Sequence, residues 1–329
     1  MASVDVVIPN YNYGRYLRSC VESVLEQDIQ ALRVIIIDNA STDDSLTLAR
    51  DLAARNARVE IIAHETNRGA KASWNEAIDV AASDYFMILC ADDLLAPGAL
   101  RRAVDVMERD ERIVFTHGAE IALQGQAAPE LIPQTPQDEE WRAIPGEDFI
   151  VASYEGPATY INGGTMVIRT AAQKRAGHFR PHLHYTDDLE MMLRLALQGR
   201  VAQIRAVQAV RRLHGANMSE LYASERASEL RHRQAAFESF LAHEGRALPS
   251  ANALRARMHK GIASRAYWWA VRDLSRGRLR SARELFRLSV SLRPATAIVP
   301  PLSYLFSRRA PLNAFAPSRM PISSLFRRA

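Results

Sequence analysis

A mostly parallel α/β sheet flanked by helices, followed by an all-α extension, is the fold class that three features of the sequence predict. Short runs of consecutive apolar residues alternate with stretches of helical periodicity through the first hundred or so residues. Strands buried on both faces read as continuous apolar runs, and strand–helix alternation at short spacing is the signature of parallel strands joined by crossover helices. The apolar runs end abruptly in polar residues at three places, Pro9 to Asn12, Asp38 to Asp43 and Asp92-Asp93. Parallel strands deliver such ends to one edge of the sheet, where α/β proteins bind ligands. Beyond Ser219 the pattern is wholly helical.

The elements follow in order. Val4 to Ile8 is a buried strand, and Leu17, Cys20, Val21, Val24 and Leu25 then mark one face of a helix over 15–26. Val34 to Ile37 is the second strand. Asp43 or Asp44 is placed to cap a helix whose apolar face uses Leu46, Ala49, Leu52 and Ala53. Val59 to Ala63 is a third strand and 70–82 a helix with Trp74, Ala77, Ile78 and Ala81 inward. The fourth strand, Tyr85-Phe86-Met87-Ile88-Leu89-Cys90, runs into Ala91-Asp92-Asp93, and Leu94, Leu95 and Pro97 then lead into another helical pattern. Leu123 to Asp148, rich in Pro, Gln and acidic residues, reads as a long mobile loop.

Bulk composition excludes several classes. At 329 residues, with 48% hydrophobic and 24% charged, the chain is long enough for one large domain plus an extension. Cys20 and Cys90 lie inside apolar patterns and read as reduced core residues, with no disulfide scaffold and no zinc spacing. A strand beginning at Val4 leaves no signal peptide, and no apolar run reaches membrane-spanning length. The expected location is therefore cytoplasmic. The net charge of +5 hides a division, with −8 over 1–218 and +13 over 219–329. The basic character belongs to one terminal segment, so no nucleic-acid partner is expected for the site.

The Asp92-Asp93 pair carries the functional question. Two carboxylates at a strand end can hold a divalent cation, and the cation a phosphate. Alone, the pair reads equally as a polar turn or a helix N-cap. No Gly-x-Gly-x-x-Gly follows the first strand and no Gly-Lys-Ser/Thr loop occurs. A nucleotide held here would be held through carboxylates and a metal.

Val-Val-Ile-Pro-Asn-Tyr-Asn (6–12), Ser-Val-Leu-Glu-Gln-Asp (23–28), Ile-Ile-Asp-Asn-Ala-Ser-Thr-Asp-Asp-Ser (36–45) and Asn-Arg-Gly (67–69) together resemble family 2 glycosyltransferases. So do Ala-Asp-Asp-Leu-Leu-Ala-Pro-Gly-Ala-Leu (91–100), Asp-Asp-Leu-Glu-Met-Met-Leu-Arg-Leu-Ala (187–196) and Arg-Leu-His-Gly-Ala-Asn-Met-Ser (212–219). Each motif is weak by itself; their order and spacing over the first two-thirds of the chain are not. The resemblance implies a GT-A type, Rossmann-like fold and inverting transfer of a sugar from a nucleotide-diphosphate donor to an acceptor hydroxyl, in cell-surface polysaccharide or glycan synthesis. It divides the chain into a catalytic domain over 1–218, a helical extension over 219–294 and a basic tail over 295–329. Within the catalytic domain, 1–105 is the nucleotide-sugar half and 106–218 the acceptor half.

By the same resemblance, Pro9, Tyr11, Asp38 and Asn67 meet the nucleotide-sugar, and Asp92 meets the ribose. Asp93 binds Mn²⁺ or Mg²⁺, with His214 beside the metal and diphosphate. Asp188 is the general base, and Asp187 fills a slot usually held by glutamate. Asn162, Gly163 and Gly164 resemble the loop flanking the acceptor pocket, with Tyr154 to Tyr160 as an aromatic platform for a sugar. Two positions depart from the family pattern. Cys90 stands where many members carry the first carboxylate of Asp-x-Asp, and Trp74 where a base-contacting arginine is frequent.

These residue types suit the chemistry. An alcohol must attack the anomeric carbon while a diphosphate leaves, so the reaction needs a Lewis acid for the phosphates and a proton acceptor for the alcohol. Asp187-Asp188 opens a helix, whose dipole favours an ionised and less basic carboxylate; a second carboxylate beside it restores basicity. Arg211 and Arg212 read either as diphosphate contacts or as surface residues. A non-catalytic nucleotide-sugar binder on the same fold is the alternative function. A nucleotidyltransferase would show a glycine-rich, basic segment after the first strand, which Pro9 to Gly14 lacks.

In the extension, Gly277, Ala282, Phe286 and Pro294 fall at the offsets of a single tetratricopeptide-like hairpin. Trp268 and Trp269 are expected in its core. From Leu285 to Ala329 there is no acidic residue, while arginines alternate with Leu302, Tyr304, Phe306, Phe315 and Phe326. That tail reads either as a solvated basic segment or as a peripheral dock on an anionic membrane, at its inner face, where lipid-linked glycan acceptors lie.

Overall fold

The computed structural model describes residues 2–124, 140–155, 161–215, 217, 226–302 and 304. Its centre is a nine-stranded sheet in the order β3-β2-β1-β4-β8-β6-β9-β5, with β7 also paired to β9. In chain order the strands are β1 (Ser3–Asn10), β2 (Ala31–Asp38), β3 (Val59–Ala63), β4 (Tyr85–Ile88), β5 (Leu94–Leu95), β6 (Ile113–Gln124), β7 (Trp141–Pro145), β8 (Val167–Arg169) and β9 (Arg200–Leu213). The half read from apolar runs, β3-β2-β1-β4, is parallel throughout. Beyond it the sheet is mixed: β8 runs antiparallel to β4 and β6, while β6 and β9 run parallel.

Burial explains the strand pattern. Val4, Val6, Val7 and Ile8 of β1 and Val34, Ile36 and Ile37 of β2 are fully enclosed, with helices on both faces of these central strands. Helices α1 (Gly14–Leu25), α2 (Ser45–Arg55), α3 (Ala70–Val80) and α4 (Ala99–Arg109) supply that cover. On α1 the buried face is Tyr16, Leu17, Cys20, Val21 and Val24, the 3–4 spacing expected from the sequence. At the start of α2, Asp43 caps: its Oδ1 accepts from Ser45 N at 3.0 Å while Asp44 makes no cap bond.

Leu94, Leu95 and Pro97 lead into α4 as the sequence predicts, and on the way Leu94 and Leu95 form β5, antiparallel to β9, with Leu94 opposite Val210 and Leu95 opposite Ala209. Two expectations are corrected. Of the described residues in 123–148 nearly all are regular: β6 continues to Gln124, β7 pairs with the first half of β9, and α5 begins at Gly146. Residues 125–139 lie outside the described residues. Cys90 is exposed, because the strand ends at Ile88 and only Leu89 of the next two residues turns into the core; both cysteines are free.

After α5 (Gly146–Glu155), α6 (Thr170–Ala176) and α7 (Asp187–Ala196), the C-terminal part contributes α8 (Arg226–Ala242), α9 (Ala251–Leu274) and α10 (Leu279–Leu292). The turn between α9 and α10 uses Gly277 at φ +72°, a conformation that suits glycine. One apolar cluster joins this extension to the sheet-bearing part, with Phe149, Ile150 and Leu193 packed in the same body as Phe237, Phe240, Ile262 and Leu285. Trp268 and Trp269 are half-buried, and the Trp268 indole N–H donates to Pro301 O at 3.1 Å.

Candidate active site

The C-terminal ends of β1, β2 and β4 share one edge of the sheet, and the loops leaving them build the site. The β1–β2 register sets Asn10 beside Asp38. Asp38 is buried, and both its oxygens are engaged: Asn10 Nδ2 donates to one at 2.9 Å and Ser41 N to the other at 3.0 Å. Asn12, at φ +58°, turns its Oδ1 to accept from Thr42 N at 2.7 Å, so the loops after β1 and β2 are laced together. Gly14 N donates to Asp43 Oδ2 at 3.0 Å, and a Cβ at Gly14 would stand 2.2 Å from Asp44 Oδ1, so a larger residue there would displace the Asp44 side chain. Pro9 is half-buried behind this loop and Tyr11 stands exposed on it. Asn67 is exposed on the next loop, its Oδ1 accepting from Asn39 Nδ2 at 2.9 Å and Gly69 N at 2.8 Å. Asn39 is in turn bonded to His64 Nδ1 at 2.9 Å.

Strand pairing also explains the second cluster. Continuing the antiparallel β5–β9 register brings Asp92 and Asp93 against Arg212. The Arg212 N–H donates to Asp93 Oδ1 at 3.1 Å, and its guanidinium donates to Asp92 O at 3.2 Å and Ser19 Oγ at 2.7 Å. Arg212 is thus a buried clamp between α1 and the β4–β5 turn, and also lies over the Tyr16 ring. His214 lies on Asp92: its Nε2 is 3.0 Å from Asp92 Oδ2, and the Asn217 amide donates to the same oxygen at 3.2 Å. Tyr16 stacks on the His214 ring at 5.0 Å, which fixes its plane.

The loop before β8 closes on the same group. Asn162 caps the single 3-10 turn Gly163–Thr165, and a Cβ at Gly164 would lie 3.8 Å from Asp93 Oδ2. Asn162 Nδ2 donates at 2.8 Å to Glu120, a buried carboxylate of β6 that also faces Arg211 Nε at 3.7 Å. Tyr154, expected as part of an aromatic platform, is instead core: it is buried, packs against Phe237 and donates its hydroxyl to Phe237 O at 3.2 Å. Residues 156–160 fall outside the described residues.

Electrostatics single out Asp93. One carboxylate oxygen from each of Asp92 and Asp93 and the Cys90 sulfur lie within 4.8 Å of one another. Burial, then the charge of Asp92, drive the Asp93 carboxyl well above the ordinary range; Glu120 adds to this and the Arg212 N–H opposes it. Although Cys90 is solvent-accessible, the protein atoms surrounding its thiol on the inner side, then Asp92 and Asp93, raise it as well. Two close carboxylates, with Asp93 held by a single N–H bond, suit a hard divalent cation, which takes oxygen ligands and tolerates a partial protein shell.

Asp187 and Asp188 open α7 as the sequence predicts. Asp187 is paired with Lys71 Nζ at 3.2 Å. Burial, and then Asp187, push Asp188 up to about 7, against the Leu189 N–H bond at 2.7 Å and the Arg233 charge. Burial outweighs the neighbouring carboxylate here. Just before the pair, Tyr185 holds φ +67° with its ring half exposed and edge-on to His232 at 4.9 Å.

Sequence reasoning missed Glu120, Lys71, Tyr185, Asn217 and the clamp role of Arg212. Lys71 and Asn217 stand within quoted motifs or next to them; Glu120 lies in an apolar strand, where a lone carboxylate was the available signal.

A parallel half with a carboxylate pair just past the end of β4, continued by a mixed half, is the architecture of GT-A transferases. The chain belongs to Glycosyl transferase family 2, whose sequence model matches residues 5–174, just over half of its length. Glycosyltransferase GlyG of Streptococcus pneumoniae is 33% identical over 113 residues, 34% of this chain and 38% of that protein. The chain therefore spans well under half the length of that relative. Among solved structures, Staphylococcus aureus TarS 1-349 in complex with UDP aligns over 90% of this chain and 91% of its own at TM-score 0.54 and 16% identity. The mannosyltransferase PcManGT of Pyrobaculum calidifontis, in complex with GDP-Man and Mn²⁺, aligns over 96% and 83% at TM-score 0.59 and 16% identity. At these identities the likeness speaks for the fold.

Proposed function

We propose that this glycosyltransferase moves a sugar from a nucleotide-diphosphate donor to an acceptor hydroxyl with inversion, assisted by Mn²⁺ or Mg²⁺, in glycan or cell-surface polysaccharide synthesis. The observation that carries the reading is the under-compensated Asp92–Asp93 pair at the end of β4, on the edge that also presents Asp38. Asp38, with Pro9, Tyr11 and Asn67 around it, holds the nucleotide, and Asp92, oriented by His214 and Asn217, meets the ribose. Asp93 is the principal protein ligand of the cation. His214 supports it through Asp92, the group it contacts here. The cation supplies Lewis-acid stabilisation of the departing diphosphate. UDP and GDP-Man, held by the structural neighbours, illustrate the donor class.

Asp188 takes the acceptor proton as the new glycosidic bond forms and the bond to the diphosphate oxygen breaks. A carboxyl brought to about 7 is matched to proton transfer at neutral pH. Lys71 neutralises Asp187 and leaves Asp188 as the basic member of the pair. Asn162, Gly163 and Gly164 form the acceptor wall against Asp93. The acceptor is a glycan or lipid-linked glycan, and the basic tail over 295–329 favours an anionic membrane surface. Among the described residues no helix is long and apolar enough to cross a membrane.

The test is a thermal-shift and turnover panel of UDP- and GDP-sugars with and without Mn²⁺. A cation-dependent stabilisation by one base is expected; no response to any member, with or without cation, contradicts the reading. The alternative, a non-catalytic nucleotide-sugar binder, predicts equal donor binding by the wild type and Asp188→Asn with no turnover by either.

A further inference from the structure

Seven large apolar side chains are exposed among the described residues, and five of them lie beyond residue 273: Leu274, Leu279, Ile298, Val299 and Leu302. Leu279 is 67% exposed and Leu274 51%. With Phe286 and Val290 they line an open groove of about 610 Å³ along α10, and Arg283 and Arg287 share the same lining.

The charge around the groove is of one sign. From Leu274 to Tyr304 the chain holds six arginines and one acidic residue, Glu284. All six arginines, at 276, 278, 280, 283, 287 and 293, are exposed. Arg280 pairs with Glu284 at 3.6 Å and Arg278 reaches Asp273 at 3.9 Å. Among the described residues, no ion pair engages the other four.

We propose that this face of the α9–α10 hairpin is a docking surface for an anionic phospholipid bilayer. The apolar side chains enter the headgroup boundary, and Arg283 and Arg287, within the same face, extend their heads to lipid phosphates. A second copy of the chain fits poorly, because two such faces would oppose arginine to arginine. A small ligand fits poorly too, because the groove is open and its charged groups do not converge on one point. The assignment goes beyond the glycosyltransferase reading and does not rest on it. It also differs from docking by the basic tail alone, since it places the contact on folded helices.

The experiment is co-sedimentation of the full chain with vesicles of phosphatidylcholine alone and of phosphatidylcholine mixed with phosphatidylglycerol. Three full-length variants accompany it: Leu274→Ser with Leu279→Ser, Arg283→Glu with Arg287→Glu, and the tail arginines 308, 309, 319, 327 and 328 changed to serine. Both leucines are mostly exposed, so unchanged thermal unfolding is the folding control. Binding to the anionic vesicles alone is expected, weakened about tenfold or more by each hairpin variant and less by the tail variant. Three results overturn the proposal: no binding of the wild type to anionic vesicles; wild-type binding by both hairpin variants while the tail variant fails; or a wild-type dimer in sedimentation velocity that the leucine variant abolishes.

Discussion

Asp5 and Asp93 are both buried carboxylates, one at each end of the central strands, and the protein treats them in opposite ways. Asp5, beside the segment that enters β4, accepts a bidentate pair from Arg33 at 2.9 and 2.8 Å, two backbone N–H bonds from Ala82 and Ser83, and the Ser83 hydroxyl at 2.6 Å. Burial alone would raise it, but the Arg33 guanidinium, the Ser83 hydroxyl and those N–H groups outweigh burial and bring it down to about 2. Asp93, just past the other end of β4, has one N–H bond from Arg212 and faces Asp92 and Glu120. A satisfied buried charge ties the sheet together; one left under-compensated costs stability and is kept where a ligand completes it.

Breaking the upper end is expected to cost the most activity. Asp93→Asn should lower sugar transfer about a thousandfold or more, with thermal stability unchanged or raised. Asp92→Ala should cost less, because Cys90 leaves Asp93 as the carboxylate on which the cation chiefly depends. Turnover and calorimetric unfolding on the same samples check both statements.

Next is the base. Asp188→Asn should lose about 10²–10⁴-fold in turnover while nucleotide binding survives. In the wild type, kcat/KM should fall about tenfold per pH unit below 7, where Asp188 becomes protonated. Its folded value is raised, so the folded state binds more protons than the unfolded chain between the ordinary carboxylate range and about 7. Its contribution to stability is therefore largest below that range and declines as pH rises through it, and Asp188→Asn should flatten that part of the curve.

At the lower end the effect is on stability. Asp5→Ala should destabilise by about 2–4 kcal/mol in urea unfolding, because it strands Arg33 and two N–H groups, with activity per folded molecule retained. The sign with pH is reversed from that of Asp188. Asp5 stabilises above the unfolded carboxylate range, and the contribution is lost as pH falls toward about 2. The smallest expected change is Cys90→Ser, within about threefold of wild-type turnover, whereas Cys90→Asp should tighten cation binding by adding an oxygen ligand. A metal titration of both separates them.

The same contrast explains what could be read from the sequence. The parallel half announces itself because β1, β2 and β4 are buried on both faces and their polar ends are abrupt. The mixed half does not: β5 has two residues, β8 has three, and β7 ends in Pro145. The motif residues were legible as residues, but not their partnerships. That His214 lies on Asp92 and that Arg212 clamps the β4–β5 turn depend on β9 pairing with strands far away in sequence, and that Glu120 stands behind Asn162 depends on β6 pairing with β8. Tyr154 shows the limit from the other side: an aromatic near the acceptor loop became core once α8 covered it.

The most direct test of the central claim is calorimetric titration of Mn²⁺ into the wild type and Asp93→Asn, each in the presence of UDP or GDP. The account predicts cation binding that strengthens with the preferred nucleotide in the wild type and is lost in Asp93→Asn. Equal Mn²⁺ affinity in the two proteins would contradict it.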